Sequence, residues 1–366
     1  MKIAIVHEWL TNLAGSEKVV LELRKIFPEA PIYTLVYNEK KLGKYFKDCT
    51  IITSNLQKNP LAKVKHQLFF NYMPKAFESF DLSEFDLIIS SSSAFAKGVI
   101  TPPNSLHICY CHTPPRYIWD MFHEYIKDYN FIIKKYLEKS FHNLRIWDSV
   151  AANRVDYFIA NSNYVANRIR KYYKRESKVI YPPVDTEFYV PSSKKEIGNY
   201  YLIVSRLVSY KRIDIAVDAF NQLNEKLIIV GEGPELKKLK SLAKKNIEFL
   251  GYQSEDTIRE LYQHCKALIF PGVEDFGIVP VEVQACGRPV IAFKKGGVVE
   301  TVEENKTGIF FEKQNSEGLK EAINRFERNI EMFDSAYIRR HAEKFSAERF
   351  RQEISDYVNN IQKSAF

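Results

Sequence analysis

The chain is poor in the features that mark several protein classes. Its five cysteines, at 49, 109, 111, 265 and 286, are an odd count, and no C-x-x-C pair occurs. A disulfide framework is therefore not expected, and reduced thiols in a cytosol are. Cys109-x-Cys111-His112 resembles half of a metal site, but no second Cys/His pair supplies the other ligands, so no metal is expected. No uninterrupted apolar run approaches the ~18 residues of a membrane-spanning helix. The apolar stretch after Lys2 lasts four residues before His7-Glu8 interrupts it, too short for the core of a secretory signal. Low-complexity tracts and internal repeats are also missing. Hydrophobic residues at 45% and charged residues at 27% are ordinary globular composition. The length of 366 residues suits two domains of roughly 100–200 residues each.

What is present is positive charge, unevenly placed. Of the net +8, residues 1–185 carry all: 26 Lys+Arg against 18 Asp+Glu, with 27 of each in residues 186–366. A basic half implies an anionic partner, whether nucleic acid, phosphorylated ligand or acidic lipid surface. No RNA or DNA motif appears and the charge forms no single dense run, so nucleic acid is not expected.

Short apolar runs with strand character alternate with helical patterns. In the first half they are Ile3–Val6, Ile32–Val36, Asp86–Ser90, Leu106–Cys111 and Tyr157–Ala160. In the second they are Tyr201–Ser205, Leu227–Val230, Ile247–Leu250, Ala267–Phe270, Val290–Phe293 and Gly308–Phe311. Val19, Val20, Leu23 and Ile26 mark one apolar helical face, Ile213, Val217, Phe220 and Leu223 another, and residues 115–150 read as mainly helical. Strands alternating with helices predict parallel sheets covered on both sides, hence an α/β chain of two Rossmann-like domains. Two prolines in Tyr181-Pro182-Pro183-Val184-Asp185 suit a connector. The expected division is 1–181, 182–345 and a terminal helix over 346–366, its apolar face formed by Phe350, Ile354, Tyr357 and Ile361 and packing back toward the N-terminal domain.

The strongest chemical signal is residues 270–289, FPGVEDFGIVPVEVQACGRP. Phe276-Gly277 follows a strand and Pro280 marks a helix start, an arrangement that turns backbone N–H groups and the helix dipole toward an anion. Glu274 precedes the turn and Glu282 is expected in the first helical turn, so both face one ligand at the helix N-terminus. Glu282 as a plain surface carboxylate, and Glu274 as a plain helix-start charge, are the alternatives.

The E-x7-E spacing followed by Ala285-Cys286-Gly287-x-Pro289-Val290-Ile291 resembles the retaining glycosyltransferases of family 4, which have the GT-B fold: two Rossmann-like domains facing across a cleft, with a C-terminal helix. The likeness extends to Ser205-Arg206-Leu207 with Lys211, Gly231-Glu232-Gly233-Pro234-Glu235, Gly296-Gly297-x-x-Glu300 and Ala14-Gly15-Ser16-Glu17, where many relatives have two consecutive glycines. Within the family, HEWL…GSEKV and Tyr110-Cys111-His112-Thr113-Pro114-Pro115-Arg116-Tyr117-x-Trp119-Asp120 look most like the WbaZ-like mannosyltransferases of bacterial O-antigen and capsule assembly.

The resemblance implies a nucleotide-sugar donor, GDP-mannose first and a UDP-sugar as the alternative, with no cofactor and no metal. It implies that Arg206 and Lys211 stabilise the departing diphosphate. Glu282 would bind the ribose and Glu274 the hexose, without acting as a covalent nucleophile. Gly15, Phe276, Gly277, Ile278 and Val279 would complete the donor site. Tyr252 is either a ring for base stacking or a half-buried surface tyrosine. His112 is either a structural histidine or a group at the reacting sugar, where a neutral imidazole would bond the sugar and a charged one would favour the departing phosphate. The basic, aromatic stretches Lys58–Lys75 and Lys127–Arg145 are either helices with a solvated back or a surface for anionic lipid and a lipid-linked oligosaccharide or glycan acceptor, as in a cytoplasmic protein held peripherally on the inner face of the membrane. Two other functions fit the residues less well. A dinucleotide oxidoreductase needs G-x-G-x-x-G after an early strand, which is absent. A non-catalytic nucleotide-sugar binder would not need the whole Glu/Arg/Lys/His set.

Overall fold

The computed structural model describes residues 1–127, 129–193 and 197–365. Asp128 in the second basic stretch, Lys194, Lys195 and Glu196 in the second domain, and Phe366 at the end of the terminal helix lie outside the described residues. The chain forms two compact units, Met1–Tyr181 with Phe350–Phe366, and Pro182–Arg349.

The first unit contains seven strands: β1 (Ile3–His7), β2 (Ile32–Thr34), β3 (Ile51–Thr53), β4 (Leu87–Ser92), β5 (Leu106–Cys111), β6 (Tyr157–Ala160) and β7 (Ser177–Val179). All pairings are parallel and the order is β3-β2-β1-β4-β5-β6-β7. Apolar β-branched and aromatic side chains fill the central strands because both faces are covered. The edges β3 and β7 have no legible strand run: each is three residues long, and two of the three in Ser177-Lys178-Val179 are polar.

The helix Gly15–Ile26 buries Val19, Val20 and Leu23 against this sheet. Region 115–150 becomes a short helix, Phe122–Ile126, and a long one, Phe131–Asn153, capped by the Asn130 side chain on the Ile133 N–H. The last helix, Ala347–Ala365, returns the chain to the first unit. Phe350, Ile354, Val358 and Ile361 are buried there with Ile5, Leu23 and Tyr110. The Tyr110 and Phe350 rings meet edge to face at 5.6 Å, and Arg351 pairs with Glu22.

The second unit contains β8 (Tyr201–Val204), β9 (Leu227–Val230), β10 (Ile247–Gly251), β11 (Leu268–Phe270), β12 (Val290–Phe293) and β13 (Gly308–Phe311), parallel, in the order β10-β9-β8-β11-β12-β13. Its core centres on Phe220 of helix Ile213–Gln222, whose ring lies 5.3 Å from Tyr201, itself 6.1 Å from Phe326. Truncating such a buried ring costs about 3–5 kcal/mol.

Both sheets have the order in which the chain starts in the middle, winds one way and then reverses. The reversal falls between β1 and β4 in one sheet and between β8 and β11 in the other. Crevices at the carboxyl ends of such strand pairs are where open α/β sheets bind ligands.

Candidate functional site

In the second unit the reversal collects the residues singled out from sequence. Arg206 follows β8, and Lys211 ends a 3-10 turn, Ser209–Lys211, ahead of helix Ile213–Gln222. Glu274 follows β11 on the loop to helix Ile278–Ala285. The Lys211 ammonium and the Glu274 carboxylate form an ion pair, with side chains 15% and 25% exposed. Arg206 is exposed, with no ion pair among the described residues.

Glycine pairs on neighbouring loops hold these two loops in place. A Cβ on Gly231, at φ +127°, would lie 2.0 Å from the Ser205 carbonyl oxygen, and one on Gly233 2.2 Å from that of Leu207. The loop carrying Arg206 thus has backbone packed directly behind it, and the Leu207 N–H donates to the Glu232 carbonyl. Gly296, at φ +88°, plays the same part for Glu274: a Cβ there would meet the Glu274 carbonyl oxygen at 2.4 Å, and the Gly297 N–H donates to that same oxygen.

The helix after Glu274 starts earlier than Pro280 suggests. Gly277, left-handed at φ 89°, is its N-cap and Pro280 is its third residue. Proline is tolerated there because first-turn N–H groups have no intrahelical acceptor. Glu282 is therefore the fifth helical residue, beyond the first turn, and it is buried rather than facing solvent as a surface carboxylate. It accepts a 3.1 Å hydrogen bond from the Tyr262 hydroxyl. Burial, and then the Glu282 charge, push the Tyr262 phenol well above its usual pKa, so it stays a donor. Phe276 is buried against Phe345, while Ile278 and Val279 are half-buried at the helix start. Tyr252 is 80% exposed, not half-buried, and follows Gly251 at the end of β10.

In the first unit the corresponding place is polar and buried. His112 follows β5, and its Nε2 lies 2.8 Å from the Ser91 hydroxyl of β4. His7, ending β1, has Nδ1 3.2 Å from that hydroxyl and 3.3 Å from the Ser91 carbonyl oxygen. Its Nε2 is 3.5 Å from Glu17. Burial, then the neighbouring His7 charge, push the His112 pKa down to about 3. The imidazole is thus held neutral near pH 7. Burial opposes ionisation of Glu17, but the His7 hydrogen bond and charge, with the Ser16 hydroxyl, hold its carboxyl below the usual range.

Gly15 opens the helix that carries Glu17 and lacks a positive φ. The Ala14 N–H at that helix start donates to Glu17. Glu8 accepts hydrogen bonds from the Ser92 hydroxyl and the N–H groups of Ser93, Ala94, Phe95 and Ala96, so the chain after β4 wraps a buried carboxylate. Beside it the buried Lys97 pairs with Asp148, which also accepts from the Trp119 indole at 2.8 Å. Roles for Ser91, His7 and Glu17 were not read from sequence. The available signal was a run of four serines, 90–93, at the end of an apolar strand.

The basic stretches bury one face, with Ala62, Phe141 and Leu144 in the core, but they also leave large apolar side chains in solvent. Phe131 and Ile132 are 74% and 79% exposed, as is much of Ile133, Tyr136, Val64, Leu68 and Tyr72. The two stretches touch: Asn71 donates to the Tyr136 hydroxyl at 2.8 Å, and Phe70 packs on Phe141. No helix among the described residues is long and apolar enough to cross a membrane.

Residues 14–188 match the model for Glycosyltransferase Family 4 and residues 185–343 that for Glycosyl transferases group 1. The chain belongs to this glycosyltransferase family, its two domains matched in order. An uncharacterized glycosyltransferase of Methanocaldococcus jannaschii is 33% identical over 193 residues, 51% of this chain and 54% of that one. A GDP-mannose-dependent alpha-(1-6)-phosphatidylinositol monomannoside mannosyltransferase of Mycobacterium tuberculosis is 29% identical over 192 residues, 44% of this chain and 50% of that one. The chain thus spans about half the length of these curated relatives. The Anabaena protein HepE, solved with UDP, superposes with a TM-score of 0.73 over 98% of this chain and 100% of that one, at 20% identity. The fold is that of the GT-B glycosyltransferases.

Proposed function

We propose that the chain is a retaining glycosyltransferase that moves mannose from GDP-mannose to a lipid-linked oligosaccharide in cell-surface polysaccharide synthesis. The observation that carries the reading is the meeting of Lys211 and Glu274 at the carboxyl ends of β8 and β11, with Arg206 on the adjoining loop. A sugar leaving a nucleotide puts growing negative charge on the diphosphate, and fixed cations aimed at that charge favour the transition state over the ground state. A bound donor would exchange the Lys211–Glu274 pair for two contacts, phosphate to Lys211 and sugar hydroxyls to Glu274. Arg206 would grip phosphate with its planar fork, and first-turn N–H groups from Gly277 to Val279 would add to the anion site. Glu282, held by Tyr262, would accept from the ribose hydroxyls, and Tyr252 would stack on the base. Neutral His112 would bond the sugar, and Gly15 would lie at the phosphate. The acceptor hydroxyl would attack the face the diphosphate leaves, with the leaving phosphate taking its proton. No cofactor or resident metal is proposed.

GDP-mannose is favoured by the M. tuberculosis relative's name and by the likeness of His112–Asp120 to the mannosyltransferase branch. A UDP-sugar is the competing donor. The exposed Phe131, Ile132 and Val64 among lysines 58, 63, 65, 134, 135 and 139 support peripheral docking on an anionic membrane from the cytoplasmic side, where such an acceptor resides.

The test is transfer from GDP-mannose to extracted lipid-linked glycans, with the anomeric configuration read by NMR. An α-mannosyl product supports the proposal. Transfer only from UDP-sugars overturns the donor, and a β product overturns retention. Nucleotide binding without any transfer would leave a non-catalytic binder.

A further inference from the structure

A single residue separates Lys211 from the helix that follows it. Ser209–Lys211 is a 3-10 turn and Ile213–Gln222 an α-helix, and Arg212 between them is left-handed, at φ 53° and ψ 39°. A right-handed residue at 212 would run the turn on into the helix and carry Lys211 inside it. The left-handed conformation costs energy for any residue with a Cβ. The other non-glycine residues with positive φ among the described residues are Asp48 and Asn305, of types that tolerate it, and Lys174, which ends an α-helix, where it is ordinary. Arg212 has neither excuse, but it has a clamp. Its Nε donates to both carboxylate oxygens of Asp214, at 3.1 and 3.3 Å, and its Nη2 donates to one of them at 3.0 Å.

We propose that Asp214 is a positioning residue: by clamping Arg212 in the left-handed conformation, it keeps Lys211 at the end of its turn, where it meets the donor diphosphate. This rests on Lys211 receiving that diphosphate. The forked geometry matters, because a single-contact surface pair holds little. Lys211 is braced from its other side by the loop after β11. A Cβ on Gly272 would lie 2.9 Å from the Lys211 carbonyl oxygen and 3.0 Å from its Cα, so that loop packs directly on the Lys211 backbone. The same loop carries Glu274, the ion-pair partner of Lys211. Arg212 and Asp214 are 39% and 43% exposed, so substitutions there should leave the fold intact.

The experiment is calorimetric titration of the full chain with GDP and with UDP, read on whichever the wild type binds more tightly. The variants are Asp214→Ala, Arg212→Gly, the two together, and Lys211→Ala. Asp214→Ala should weaken binding about five- to tenfold, as the left-handed, binding-competent form drops to about a fifth to a tenth of the population. Arg212→Gly should stay within about twofold of the wild type, because glycine adopts positive φ freely. In that background Asp214→Ala should cost no more than about twofold further. Full affinity in Asp214→Ala overturns the proposal, as does a loss that persists undiminished in the glycine background. Arg212→Gly falling as far as Lys211→Ala overturns it too, since Arg212 would then be a phosphate ligand itself. Wild-type affinity in Lys211→Ala instead overturns the placement of Lys211 at the diphosphate, and the positioning role with it.

Discussion

In the second unit most of the proposed donor-site side chains reach solvent: Arg206 after β8 is exposed, Tyr252 after β10 is 80% exposed, and Lys211 and Glu274 are partly exposed, while Glu282 is buried. What is rigid there is backbone, held by Gly231, Gly233, Gly296 and Gly297 against the loops that carry the charges. At the matching ends of β1, β4 and β5 the polar groups are themselves the packing: His7, Glu8, Glu17, Ser91, Lys97 and Asp148 are all buried and bonded to one another or to backbone. One strand order thus supports two designs. In the second unit Arg206 or Lys211 can be removed while its loop stays in place. In the first, removing one strands a partner in a low-dielectric interior.

The largest expected effect follows from that contrast. Asp148→Ala should destabilise the first unit by about 3–5 kcal/mol, since it leaves the buried Lys97 uncompensated, whereas Lys211→Ala should leave the unfolding free energy nearly unchanged. Urea unfolding of both variants measures this. Equal stability losses would erase the distinction between the units.

Next come the two carboxylates of the donor site. Glu282→Ala should weaken nucleotide binding and also cost about 1–3 kcal/mol of stability, because the buried Tyr262 hydroxyl loses its acceptor. Glu274→Ala should keep fold and nucleotide affinity and lose transfer. Calorimetric GDP titration beside turnover separates them, and matching phenotypes would dissolve the division of the donor between the two.

Acid should also tell the units apart. Burial holds His66 at about 4 and His107 and His112 at about 3, all in the first unit, and lowers His341 in the second. A base whose folded pKa lies below its unfolded value near 6.5 stabilises the fold above that value. The unfolded chain takes up protons that the folded one refuses as pH falls through the window from about 6.5 toward 4. Hydrogen exchange at pH 7 and pH 5 should show protection falling more in the first unit. Equal falls would contradict this.

The smallest effect is at the surface. Phe131→Ser with Ile132→Ser should leave folding untouched and reduce sedimentation with anionic vesicles, binding that should also weaken between low and physiological salt, where screening reaches about 8 Å. Unchanged binding would detach the membrane from this patch.

The alternation of strands and helices was readable because parallel strands buried on both faces are continuous apolar runs, such as Leu227–Val230 and Val290–Phe293. β3 and β7 were not readable, because an edge strand of three residues carries no such run. Motif residues in the second unit were legible since their glycines, turns and charges are neighbours in sequence. The His112–Ser91–His7–Glu17 group was not, because its members come from β1, β4, a helix and the residue just past β5; parallel pairing sets His7 beside Ser91, and His112 meets the Ser91 hydroxyl from beyond the strand end. The burial of Glu282 was hidden for a related reason: its partner, Tyr262, lies on the preceding helix, Glu255–His264.

The central claim is that the charges after β8 and β11 receive a nucleoside diphosphate. A thermal-shift panel of GDP, UDP and ADP on the wild type, Arg206→Ala and Lys211→Ala tests it most directly, since a ligand at ~100 times its Kd adds about 2.7 kcal/mol to the folded state. The account predicts the largest shift with GDP and a shift that shrinks sharply in both variants, whose kcat should fall by the equivalent of about 2–4 kcal/mol. A wild-type nucleotide shift and wild-type turnover in both variants would contradict it.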